Sequence, residues 1–172
     1  MNEQYRPDAA VSLRPVSEAD VPQVLAFIRE LAVYEKLEHA VVATEADIHA
    51  ALFGSRPHVE AIFVCLDGVP VGFALWFYSF STFKGRPSLY LEDLYVRPPA
   101  RGRGLGKRLL VELARRALER GCTRFEWSVL DWNAPSIAFY KSLGAVPMDE
   151  WTVYRVESEA LKRLAGSPTG SP

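Results

Sequence analysis

The sequence predicts a mixed α/β fold in which helices pack on one central sheet. Three observations carry that expectation. Two apolar, β-rich runs, residues 59–66 and 69–80, flank the pair Asp67-Gly68, and that pattern signals a hairpin. Leu105, Leu109, Leu110, Leu113, Ala114, Ala117 and Leu118 recur at helical spacing and mark one face of a long helix. Segments of both kinds interleave along the 172 residues instead of falling into separate blocks.

In chain order, residues 11–14 alternate in polarity and read as a first strand. Ser17 caps a helix, with Asp20 three residues on, and Val21, Val24, Leu25, Ile28, Leu31 and Ala32 follow the helical period. Thr44 caps a second, shorter helix through Ile48, Leu52 and Phe53. After the hairpin, residues 89–96 form another strand, and Pro98-Pro99 and a glycine-rich turn lead into the long helix, which Gly121 stops. Residues 123–129 read as a strand, 134–142 as a short helix and 151–156 as a last strand. Residues 1–10 and the tail 166–172 are expected to be flexible, which leaves 11–165 as a single domain.

Composition narrows the function classes. Hydrophobic residues make up 49% of the chain, enough for a core without metal or disulfide. The net charge of −1 gives no basis for a nucleic-acid or anionic-membrane partner, which needs a basic excess. Cys65 and Cys122 have no Cys-x-x-Cys neighbour and read as reduced core thiols. His39, His49 and His58 lack metal-ligand spacing, so no metal site is expected. The polar start has no apolar signal core, and no apolar run approaches the ~20 residues of a membrane helix, so the expected location is cytoplasmic.

The most informative segment is Arg101-Gly102-Arg103-Gly104-Leu105-Gly106-Lys107, between a predicted strand and a predicted helix. A helix start presents unpaired N–H groups and a partial positive charge. Glycines let a phosphate approach the backbone, and Arg101, Arg103 and Lys107 add charge, so the segment is a candidate pyrophosphate cradle. It is not a P-loop, because Arg108 follows Lys107, and its G-x-G-x-G spacing is not the dinucleotide fingerprint. Taken alone, it also fits a basic turn before a helix.

The strand Tyr90-Leu91-Glu92-Asp93-Leu94-Tyr95-Val96 carries adjacent carboxylates. Neighbours on a strand point to opposite faces, so at least one is expected in the interior or a cleft, with a raised pKa. A solvated strand end is the alternative reading. Downstream, in Asn133-Ala134-Pro135-Ser136-Ile137-Ala138-Phe139-Tyr140, Asn133 is a good N-cap and Pro135 sits in the first helical turn.

These three segments in this order resemble the GNAT superfamily of acetyl-CoA-dependent N-acetyltransferases, over residues 13–155. Leu31-Ala32-x-Tyr34-Glu35, Thr44-Glu45, Tyr90-Leu91-Glu92-Asp93 and Trp132-Asn133-x-Pro135-Ser136 resemble the spermidine/spermine and thialysine N-acetyltransferase branch. The resemblance implies a mostly antiparallel sheet whose middle strands splay apart. It implies that Leu94, Tyr95 and Val96 line the pantetheine arm of acetyl-CoA. Arg101, Gly102, Arg103, Gly104, Leu105, Gly106 and Lys107 would hold the pyrophosphate, and Asn133 and Ser136 would touch the coenzyme arm. It also implies a homodimer.

The implied reaction is direct acetyl transfer to a primary amine of a small molecule: a polyamine, a diamine or a lysine-like amino acid. Such an amine is mostly protonated at neutral pH, so Glu92 is the candidate general base and Tyr140 the candidate general acid. Tyr34, Glu35, Glu92 and Asp93 are candidate substrate residues, and Arg86 is a candidate partner for a substrate carboxylate. Lys36 and His39 stand where a polyamine site would be acidic, which counts against a polyamine, and a carboxylate held by Arg86 would favour the amino acid. The rival readings are a protein or peptide N-acetyltransferase and a non-catalytic acyl-CoA-binding module.

Overall fold

Asp67 and Gly68 form a two-residue hairpin turn in which both φ angles are positive, 48° and 81°. This turn twists with the strands it joins, so it sets their register from Leu66 opposite Val69 onward. The computed structural model in which this is seen describes residues 5–166. It separates into two compact units that divide between Leu130 and Asp131.

The first unit holds a five-stranded sheet: β1 (Val11–Pro15), β2 (Glu60–Leu66), β3 (Val69–Ser81), β4 (Arg86–Val96) and β5 (Arg124–Trp127), side by side in chain order. The first four run antiparallel, and β5 is parallel to β4. A parallel neighbour requires a crossover, which α3 (Leu105–Glu119) supplies. α1 (Val21–Glu35) and α2 (Glu45–Phe53) fill the connection from β1 to β2. The predicted fold class is therefore the observed one.

Local chemistry explains the helix ends. Asp20 closes a capping box with Ser17 and takes a bidentate ion pair from Arg14 at 2.7 and 2.8 Å, which holds its carboxyl far below the usual range. Thr44 and Asp47 form a second capping box at the start of α2. Gly121, at φ 73°, ends α3, where Cys122 N–H reaches the Ala117 carbonyl at 2.8 Å.

The α1 face of the sheet is aromatic. Phe27 stacks on Phe73 at 5.5 Å and meets Phe63 edge-on at 5.6 Å, with Leu75, Cys65 and Tyr95 in the same cluster. Trp76, next to Leu75 on β3, points to the other face, where Arg116 of α3 lies over its ring. Buried Leu105, Leu109 and Leu113 give α3 its apolar stripe.

The second unit contains α4 (Ala134–Ser142) and α5 (Ser158–Gly166). The strand expected at 151–156 is not formed: residues 151–157 have no regular structure. Alternating polarity makes a strand only beside a ladder partner, and the described residues of this unit contain no second strand. The sequence does not predict α5, which takes in Gly166, where the sequence placed the start of the tail. Residues 1–4 and 167–172 lie outside the described residues. The rest of the expected N-terminal tail, residues 5–10, is tied down by hydrogen bonds and an ion pair.

Candidate active site

The site is built on an irregularity in β4. Asp93 pairs with Leu75 and Leu91 with Trp76, so Glu92 is an extra residue with no opposite partner, a β-bulge. Leu75 and Trp76 face opposite sides of the sheet, so the bulge turns Leu91 toward α3 and Asp93 toward α1. A regular strand would put both on one face. Glu92 is left exposed, and Asp93 half-buried.

The same point is where β4 loses its neighbour. The ladder with β5 ends at Leu91 opposite Trp127. Beyond it, residues 93–96 pair with β3 on one side and with no strand among the described residues on the other. Tyr90 Oη and Ser128 Oγ, 2.8 Å apart, hold the two chains together where they diverge. An extended arm with amide groups could add to that open edge as a strand would. Gly72 allows the arrangement: a Cβ there would lie 2.4 Å from the Tyr95 carbonyl oxygen and 3.0 Å from Val96 Cα. Leu94 and Val96 pair with Ala74 and Gly72 and face the α3 side. Tyr95 turns its ring into the α1 core, 6.1 Å from Phe27, and its backbone faces β3, as the neighbouring Arg97 N–H does toward the Val71 carbonyl, so of the three residues the sequence put on the coenzyme arm only Leu94 and Val96 face the edge.

The loop after β4 fits a diphosphate. Gly102 and Gly104 have φ of 78° and 73°, and nothing lies within 4 Å of where their Cβ atoms would be. Gly104 precedes α3 without a side-chain cap, and the first amide bonded back into the helix is that of Arg108, to the Gly104 carbonyl at 3.0 Å. The N–H groups of Leu105, Gly106 and Lys107 therefore have no helical acceptor. Leu105 contributes only backbone, since its side chain is in the core, while Lys107 is exposed.

The two loop arginines are otherwise engaged. Arg101 donates from Nε to the Val96 carbonyl at 2.8 Å and lays its guanidinium 4.8 Å from the Tyr34 ring centre. Arg103 donates to the carbonyls of Tyr5 and Arg6. A neighbouring ion pair, missed in the sequence, joins Arg97 to Glu30 of α1 at 2.6 and 3.0 Å. The Arg97–Glu30 pair and the Arg101–Tyr34 contact pin α1 to the end of β4.

That pinning brings three carboxylates together. Asp93 is pushed up to about 7 by burial, with the charges of Glu92 and Glu35 adding to the effect. Glu35, the last residue of α1, is itself raised by burial. Arg86 opens β4 six residues before Glu92, about 20 Å away along an extended strand, and is not brought into the cluster.

In the second unit, Asn133 caps α4, its Oδ1 accepting from Ser136 N–H at 3.3 Å. Tyr140 lies on the same helix, half-buried, with Phe139 at 5.4 Å.

A splayed parallel pair, a bulged carboxylate strand and a glycine loop on a helix start agree with the comparisons. Residues 25–145 match the model of the acetyltransferase (GNAT) family. The chain belongs to that family. As a GNAT acetyltransferase it is similar to the thialysine N-epsilon-acetyltransferase of Bos taurus, 39% identical over 92% of this chain and 99% of that one. It is similar to the L-ornithine N5-acetyltransferase of Arabidopsis thaliana, 30% identical over 88% of this chain and 86% of the other. Among solved structures, an integron cassette protein from the mobile metagenome of V. cholerae superposes with a TM-score of 0.77 at 30% identity, covering 91% and 98% of the two chains.

Acetyl-CoA is the family's general acetyl donor, and the residues of this acetyltransferase fit it: a loop open for a diphosphate, and a strand edge open for an amide-bearing arm. Gly72 and the Glu92 bulge are the site features that sequence reasoning missed. The bulge left one trace, two polar residues in succession between alternating runs. No helix among the described residues is long and apolar enough to cross a membrane.

Proposed function

We propose that this acetyltransferase moves an acetyl group from acetyl-CoA to the terminal amine of a short basic amino acid or diamine, by direct transfer. The observation that carries the reading is Asp93, a carboxyl with its proton affinity near neutrality, flanked by Glu92 and Glu35. Three carboxylates around one point attract a cation, and a pKa of about 7 lets one of them take a proton from it. The thialysine and ornithine acceptors named for two relatives are amines of this kind.

Bound acetyl-CoA supplies an activated thioester. The backbone of Leu94, the Val96 N–H and the amides of Leu105, Gly106 and Lys107 hold and orient it, with Gly102 and Gly104 giving the loop its curl. Asp93 accepts the ammonium proton and so frees the nitrogen lone pair that forms the new C–N bond. Glu92, which the sequence put forward as the base, keeps Asp93 basic through its charge and helps hold the cation. The Leu94 N–H would support the oxygen that becomes negative, and Tyr140, which the family resemblance puts forward as the acid, would give its proton to the departing sulfur and be reprotonated by the second proton that the nitrogen sheds as the amide forms. Tyr34 bounds the amine side from under Arg101. Asn133, occupied in capping α4, acts by shaping that helix start, with Ser136 beside it.

The reading also keeps the cytoplasmic location expected from the sequence and the homodimer that the family resemblance implies. The test is thiol release from acetyl-CoA with lysine, thialysine, ornithine, short diamines, spermidine, spermine and a lysine peptide. Selective turnover of the short basic amino acids or diamines is expected. Exclusive turnover of the peptide, or coenzyme binding without turnover of any amine, would overturn it.

A further inference from the structure

We infer that residues 5–10 form a strap that Arg103 fastens across the phosphate loop, making Arg103 a positioning residue for the coenzyme instead of a phosphate ligand. The inference rests on reading that loop as the diphosphate site.

The fastening is specific. Arg103 Nη1 donates to the Arg6 carbonyl and Nη2 to the Tyr5 carbonyl, each at 2.6 Å. Both terminal nitrogens of the fork are thus spent on consecutive backbone carbonyls. Such charge-assisted contacts are strong, and the planar fork is rigid enough to set the spacing of the two groups it joins. The other end of the strap is anchored on the β2–β3 turn. Asp67 accepts the Ala10 N–H at 2.9 Å and the Arg6 guanidinium at 3.1 Å, and its own N–H returns to the Ala10 carbonyl at 2.9 Å. Between the anchors the Ala9 N–H turns back to the Arg6 carbonyl at 3.2 Å, so that oxygen serves both the turn and Arg103.

The loop needs such a fastening. Two of its residues are glycines in the left-handed region with open space around them. A chain this free loses much entropy on closing around a diphosphate, and a strap that orders it beforehand lowers that cost. The consequence appears in coenzyme affinity more than in the chemical step.

Arg103→Lys separates fastening from charge, because an ammonium keeps the charge and cannot span two carbonyls as a fork does. The matching perturbation on the other side is a chain beginning at Asp8, which removes the two carbonyls and leaves the Ala10–Asp67 anchor. Each is expected to raise the Kd and KM for acetyl-CoA about tenfold, the scale of one charge-assisted hydrogen bond, with a smaller change in kcat. The two combined should do no more than either alone. Hydrogen exchange at the Arg108 amide, the first bonded into α3, should quicken in both variants without coenzyme. Near-wild-type affinity in Arg103→Lys, unchanged or tighter binding in the shortened chain, or unchanged exchange at Arg108 would overturn the strap. The exchange measurement needs no coenzyme. If the wild-type protein fails to bind acetyl-CoA, the proposed function falls while the strap is still decided.

Discussion

Replacing Asp93 by asparagine should make the protein more stable at neutral and alkaline pH while removing most of its activity. The carboxyl has an ordinary value of 3.8 and sits at about 7 in the folded chain, raised by burial and by the charges of Glu92 and Glu35. A folded-state pKa above the unfolded one means that the folded state binds the extra proton. Stability is therefore complete below pH ~4 and lost progressively as pH rises through about 7. Fully ionised, the group costs the fold up to about 4 kcal/mol, trimmed toward about 2–3 where water enters along the open edge of β4. Asparagine has the same shape and no charge to bury. The assay is urea denaturation of wild type and Asp93→Asn from pH 4 to 9, with the slope against denaturant checked for constancy. The two should match near pH 4 and diverge to about 2–3 kcal/mol in favour of the variant by pH 8. A stability difference that does not change with pH would refute the argument, because it would mean that the carboxylate is as well solvated folded as unfolded.

Three further outcomes are expected. Glu92→Gln removes one of the charges raising Asp93, so the acid limb of kcat/KM should move down by about half to one pH unit; an unmoved limb would break the proposed pairing. Tyr140→Phe should lower kcat about a hundredfold or more with little change in KM for either substrate, as loss of a general acid does, and equal loss with a chemically activated thioester would speak against that role. Gly72→Ala puts a Cβ against backbone at 2.4 Å and should cost about 2–3 kcal/mol in denaturation, with weaker acetyl-CoA binding as 95–96 is pushed out of line.

These outcomes depend on features of unequal visibility in the sequence. The Asp67-Gly68 hairpin was legible because its turn chemistry is local: two residues adopt positive φ, and the flanking strands follow. Helix α3 was legible from its leucine spacing and its glycine stop, and the phosphate loop from glycines between a strand and that helix. The segment 151–156 misled because alternation states only which face a residue would take if a neighbouring strand existed. The N-terminal residues read as loose because their partners, Asp67 and Arg103, are distant in sequence.

By itself, the sequence determined the fold class, the elements along residues 11–142, the glycine loop and the pair of carboxylates on one strand. These rest on periodicity, capping and backbone freedom, which act over a few residues. Only the tertiary structure decided which carboxylate is buried, because that turns on the pairing of Asp93 with Leu75 and of Leu91 with Trp76 across the bulge at Glu92. It alone showed how Glu35, grouped with Asp93 only by resemblance, comes to act on it, through contacts that hold α1 against the end of β4, and that Arg103 faces the N-terminal strap. Burial and charge sum over neighbours in space, and the order of the chain does not state who those neighbours are.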